Sequence, residues 1–174
     1  MGTGSPKVRD VKRWIAIAAA LAALAAPAVA AAHPLGNFTV NRYSRIAPSG
    51  DRVYVHYVLD LAEIPTLQAK DTVRSEGREQ YARKTAAAIA SNLELRVGGR
   101  LASLRPLRHA LAFPSGAAGL ETTRLEIVLA TPPLSTAGPV RISYIDHNYA
   151  NRIGWKEIIA SRGKDASIVT ASVP

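Results

Sequence analysis

The sequence predicts a mainly β domain, sandwich-like, of seven or eight short strands with one helical insertion, behind an N-terminal signal helix. Three observations predict it. Arg52–Leu61 alternates with a period of two and is rich in β-branched and aromatic residues, which is the pattern of a half-buried strand. Turn-forming clusters recur between short apolar runs, at Pro48-Ser49-Gly50-Asp51, Gly98-Gly99, Pro114-Ser115-Gly116 and Gly138-Pro139, as they do in sandwiches. A single long stretch, about Thr66 to Asn92, is built from good helix formers.

The chain opens with Lys7, Arg9, Lys12 and Arg13, followed by an apolar run from Trp14 to Ala32 that Pro27 interrupts. A charged start, an apolar middle and small residues at the end form the layout of a secretory signal peptide. Ala28-Val29-Ala30 places the cut after Ala30, and Ala30-Ala31-Ala32 places it after Ala32. An uncleaved anchor is the alternative, since a span needs about 20 apolar residues. The run is mostly alanine with Pro27 near its end, which favours cleavage. No Arg-Arg pair marks a twin-arginine route. The expected organisation is a signal peptide over 1–32 and an extracytoplasmic β-rich domain over 33–174.

The chain of 174 residues has a net charge of +9 from 22 basic and 13 acidic residues. The leader holds four of the basic residues and one of the acidic ones, leaving +6 on the exported part. These basic residues are scattered, without the basic stripe and interleaved aromatics of a nucleic-acid surface. Attraction to an anionic membrane surface is the expected use of the excess, and no nucleic-acid partner is expected. The chain has no cysteine, which excludes thiol catalysis, thiolate metal sites and disulfides. No G-x-S-x-G elbow or phosphate-binding glycine loop is present, so a non-enzymatic role is expected.

Along the exported part, Asn37–Ile46 reads as a first strand with Phe38 and Val40 on one face. It forms a hairpin with Arg52–Leu61, where Val53, Val55, Tyr57 and Leu59 share a face. Pro65 biases Ile64 away from helix, so the helix is expected from about Thr66. Tyr81, Thr85, Ala88 and Ile89 fall on one helical face, and Gly77 is a point where two shorter helices could divide. Leu93–Val97 and Leu101–Leu104 flank the Gly98-Gly99 turn. Leu107, His109, Leu111 and Phe113 share a face of the next segment. Thr122–Ala130 follows with Leu125, Ile127 and Leu129 inward, then Val140, Ile142 and Tyr144. Ile153–Ala160 and Ile168-Val169-Thr170 are the last strand candidates. No 20–50-residue repeat and no further apolar run of membrane length occurs after residue 33.

Three blocks carry a resemblance. They are His33-Pro34-Leu35-Gly36-Asn37-Phe38-Thr39-Val40-Asn41-Arg42-Tyr43, Tyr57-Val58-Leu59-Asp60-Leu61-Ala62-Glu63-Ile64-Pro65-Thr66, and the run from Asp146-His147-Asn148 through Trp155-Lys156-Glu157-Ile158. Together they resemble the extracytoplasmic N-terminal domain of bacterial nickel/cobalt transporter-like membrane proteins, over most of 33–160. In that family a multi-helix membrane part follows and carries the His- and Asp-rich metal path. This chain stops at Pro174 without it, so a fragment, a truncated product or a stand-alone version is expected. The resemblance implies an exported accessory domain of a metal-transport system, with the transporter membrane domain as partner. Asp60, Glu63, Asp146, Arg152 and Glu157 match charged positions of the family blocks.

His33 is the first candidate metal ligand. A cut after Ala30 leaves Ala31-Ala32-His33 as a free terminus. Its amine, two amide nitrogens and an imidazole can wrap a square-planar nickel or copper ion. A cut after Ala32 leaves His33 first, where amine and ring chelate one copper or nickel ion and another His completes the set. The plain alternative is that His33-Pro34 only leads into the first strand. Asp146 and His147 end a strand, and with His33 they compose a nitrogen/oxygen site for nickel, cobalt or copper. His56 and Asp60 share a strand face four residues apart. His56 and His109, each alone, read as hydrogen-bonded core or surface histidines. Two rival functions follow from the same residue: an independent periplasmic copper-binding protein, and a copper-dependent oxidase using His33 with a second histidine.

Overall fold

The computed structural model describes residues 34–135 and 138–172. The expected signal peptide and His33 lie outside the described residues. Among the described residues the chain runs from a 3-10 turn at Pro34–Phe38 into eight strands, two α-helices and a second 3-10 turn at Ala117–Gly119. The strands are β1 (Val40–Ser49), β2 (Arg52–Leu61), β3 (Leu93–Val97), β4 (Arg100–Leu101), β5 (Arg105–Ala112), β6 (Thr123–Ala130), β7 (Ile142–Asp146) and β8 (Lys156–Ala160). Helices α1 (Glu63–Glu76) and α2 (Arg78–Ser91) both lie between β2 and β3. The protein is therefore mainly β with a helical insertion after the second strand.

A five-stranded sheet has the order β5-β6-β2-β1-β8, and a three-stranded sheet the order β4-β3-β7. β1 and β2 form an antiparallel hairpin in continuous register from Val40↔Leu61 to Ser49↔Arg52. Gly50, at φ 57°, supplies the left-handed backbone of its tight turn. β8 adds to the other edge of β1 in parallel, with Arg42 opposite Lys156. Parallel strands need a long crossover, and here almost the whole domain intervenes between them.

Period two decides which face is buried. Val53, Val55, Tyr57 and Leu59 of β2 and Leu125, Ile127 and Leu129 of β6 point to one face and are buried. Leu93, Leu95 and Val97 of β3 join them from the second sheet. α2 adds Ala82, Ala86, Ile89 and Ala90 to the same core. Spacings of three and four residues put these on one stripe. The alanines let the helix backbone come close. The buried stripe is thus one position away from the expected one: Ile89 is in it, Tyr81 and Thr85 flank it, and Ala88 is exposed.

Other boundaries moved for local reasons. Pro65 sits inside the first turn of α1, where amides have no intrahelical partner and proline is tolerated. Gly77, at φ 83° and ψ 152°, divides α1 from α2. Phe38 closes the 3-10 turn and is 47% exposed, because Thr39 bonds back to the Gly36 carbonyl through both N (3.3 Å) and Oγ1 (3.0 Å). β4 has two residues, although Leu104 beyond it is buried. Leu107 is 59% exposed because the β5 register shifts between Pro106 and Arg108. Val140 stands outside β7. Ile168-Val169-Thr170 pairs with no strand among the described residues.

Candidate functional site

The inward side of β1 reads Val40, Arg42, Ser44, Ile46. Two polar residues therefore enter the space between the sheets. There they meet Tyr57 of β2, Tyr144 and Asp146 of β7, and Asn148 just beyond. Asp146 Oδ1 accepts from the Asn148 backbone amide at 2.9 Å and from Asn148 Nδ2 at 2.8 Å. The first of these is an Asx turn, the local bond that Asp-x-Asn sequences favour. Asp146 Oδ2 accepts from Tyr57 Oη at 3.2 Å. Asn148 Nδ2 also donates to the Ile89 carbonyl at 3.2 Å. Arg42 Nη1 donates to the Asn148 carbonyl, while Arg42 Nε is buried with no partner among the described residues. Ser44 Oγ and Tyr144 Oη lie 2.9 Å apart.

Burial sets the electrostatics. Arg42, Tyr57, Asp146 and Asn148 are all buried. Burial, reinforced by the Asp146 charge, pushes the Tyr57 phenol far above its ordinary range. Burial also raises Tyr144 and Tyr149. These phenols stay neutral donors. A buried carboxylate held by three donors, with a buried guanidinium bonded to the adjoining Asn148 carbonyl, is a structural junction, since a buried charge is tolerated only when hydrogen-bonded.

Asp146 and His147 do not converge. Asp146 is buried, and both of its oxygens already accept protein donors. His147 points the other way, with 56% of its side chain exposed and Nε2 3.8 Å from Glu94 Oε2. Alternation along the strand end separates neighbours in this way. Among the described residues no three His, Asp or Glu side chains group as a metal cage. Arg152 does not pair with Asp146; its amide closes a turn onto the Tyr149 carbonyl at 3.0 Å. Arg152 and Glu157 are exposed.

His56 and Asp60 stand on the opposite, open face of the five-stranded sheet. They do not touch directly but end one chain of ion pairs across β2 and β6. Asp60 accepts from Arg124 Nη1 at 3.1 Å, Arg124 Nε donates to Glu126 Oε1 at 2.9 Å, and Glu126 Oε2 lies 3.3 Å from His56 Nε2. Burial raises the Asp60 pKa against the lowering influence of Arg124. The Arg124 hydrogen bond holds Glu126 low. Tyr43 meets the His56 ring edge-on, with centroids 6.3 Å apart. His109 is held by Glu79 of α2 at 3.0 Å.

Glu63 begins α1 and reaches across to the loop after β5. Its Oε1 accepts from the Ala117 amide at 2.7 Å. A Cβ at Gly116 would stand 2.5 Å from that oxygen, so the loop approaches closely only because residue 116 is glycine. The Ala117 amide, then the backbone amide of Glu63 itself, lower the Glu63 pKa. A lowered folded pKa contributes stability above the unfolded value and loses it as pH falls through the folded one. Glu63→Gln is expected to cost about 1 kcal/mol at neutral pH. The gap to the unsubstituted protein should close in acid, below the ordinary glutamate range. Urea midpoints at stepped pH check this; a gap independent of pH contradicts it.

Arg42, Tyr57 and Asn148 were missing from the sequence-derived site. One signal was available for Arg42: it shares parity with Val40 and Ile46. The chain matches no protein-family model, no curated protein and no solved structure.

Proposed function

We propose that this chain is an exported accessory domain of the nickel/cobalt transport type, holding a divalent metal at its mature terminus through His33. One observation carries the accessory reading. The three sequence blocks of the resemblance, far apart in the chain, meet in a single junction. Arg42 of the first bonds Asn148 of the third, and Tyr57 of the second bonds Asp146 of the third. Their backbones interlock as well: Val40 N to the Ile153 carbonyl at 2.8 Å, Arg42 N to Trp155 at 3.0 Å, and Ala62 N to Thr39 at 3.0 Å. A junction built from all three blocks supports reading them as the core of one domain fold. The partner is the transporter membrane domain.

The metal reading rests on chemistry at the exported terminus. A terminal amine with an imidazole at position three supplies four nitrogen donors for nickel or copper, and with an imidazole at position one supplies two that another His completes. Asp146 is engaged in the junction and is not part of this proposal.

The intact mass of the exported protein, followed by nickel and copper titration, tests it. A terminus at Ala31 or His33 is expected, with one equivalent of nickel bound and binding lost in His33→Ala. A retained leader, or nickel binding indifferent to His33→Ala, overturns the terminal site. Copper bound strongly with nickel refused identifies an independent copper-binding protein instead.

A further inference from the structure

The open face of the five-stranded sheet carries a hollow whose floor is short side chains: Ala47 of β1, Ala110 of β5 and Val128 of β6. Its volume is about 430 Å³. Two arginines stand at its ends. Register places Arg45 opposite His56, His56 opposite Val128, and Val128 opposite Arg108. The row therefore crosses four strands, and its ends lie about 14 Å apart at the usual strand spacing. Long side chains at both ends of a floor of alanines and valine can close over a ligand between them.

The charges of this row are unbalanced. Glu126 is the acid lining the hollow, and both its oxygens are engaged, by Arg124 and by His56. The side chains of Arg45 and Arg108 are exposed and make no ion pair or hydrogen bond among the described residues. A planar guanidinium presents paired donors that match phosphate oxygens. His56 between them also lines the hollow, with its Nε2 turned to Glu126.

We propose that this hollow binds a phosphate-type oxyanion through Arg45 and Arg108. The same chemistry is offered by soluble phosphate and by the headgroup of an anionic phospholipid, and the exported part's excess of +6 favours either. The proposal is independent of the metal site and of the transport reading.

Two probes distinguish the sources: inorganic phosphate by equilibrium dialysis, and sedimentation with phosphatidylcholine vesicles with or without phosphatidylglycerol. The exported protein is compared with the double variant Arg45→Gln/Arg108→Gln. A charge-matched control, Arg74→Gln/Arg83→Gln, removes arginines from the helices. Saturable phosphate binding, or binding only to phosphatidylglycerol vesicles, is expected to weaken roughly thirtyfold in the first variant and to survive in the control. The first pattern assigns soluble phosphate and the second a lipid headgroup. Equal losses in both variants, or no binding to either probe, overturn the site. Neither arginine supports the fold, so unfolding midpoints should match the parent.

Discussion

Asp146→Ala is expected to cost about 3–5 kcal/mol of folding stability, as removing one partner of a buried charged network does. The substitution deletes the acceptor of Tyr57 Oη, Asn148 N and Asn148 Nδ2 at once. Arg42 belongs to the same junction through the Asn148 carbonyl, which the lost Asx turn no longer positions, and it is 6% exposed with an unpartnered Nε. A domain's whole stability is about 5–15 kcal/mol, so the variant should sit near the edge of folding. Asp146→Asn keeps an acceptor for the Asx turn and loses only the charge, so it should cost less. Arg42→Leu combined with Asp146→Leu should cost less than the two single changes summed, because the double change leaves no lone buried charge. Denaturant titration of Asp146→Ala, Asp146→Asn, the two single leucine changes and their combination checks the order. Additive losses would show that the two charges do not stabilise one another.

Gly154→Ala should produce the second large loss, about 3 kcal/mol. Gly154 has φ +148°, and a Cβ there would overlap the carbonyl oxygen of Val40. The same place joins β8 to β1, through Val40 N to Ile153 and Arg42 N to Trp155. The overlap is therefore expected to loosen the edge strand as well as the turn. Faster amide exchange at Val40 and Arg42, with Leu125 and Ile127 still protected, is the expected signature. Uniform acceleration throughout would mean that the strand and the core open together.

The particular elements show what local pattern can and cannot reveal. β2 was legible to the residue because its alternation is long and its apolar members are β-branched or aromatic. Gly77 was legible as a division because glycine interrupts an otherwise continuous run of helix formers. Phe38 was misplaced because a side-chain bond from Thr39 outcompeted the strand. β8 was legible as a strand, but its parallel union with β1 depends on residues more than a hundred positions apart. The candidate site followed the same rule. Asp146 stood out by type and position, yet Tyr57, which bonds it, and Arg42, which bonds the neighbouring Asn148 carbonyl, come from other strands. Alternation then turned His147 away from it. The outer hollow depends on register across four strands, which no local window contains.

We propose, above all, that this domain is exported and serves nickel or cobalt transport. The direct measurement is the cellular content of nickel, cobalt, copper and zinc in the native host, with and without the gene for this chain. The account predicts altered nickel or cobalt content with copper and zinc unchanged, restored by the full gene and not by a version lacking the leader. Nickel and cobalt contents that are the same with and without the gene would contradict it.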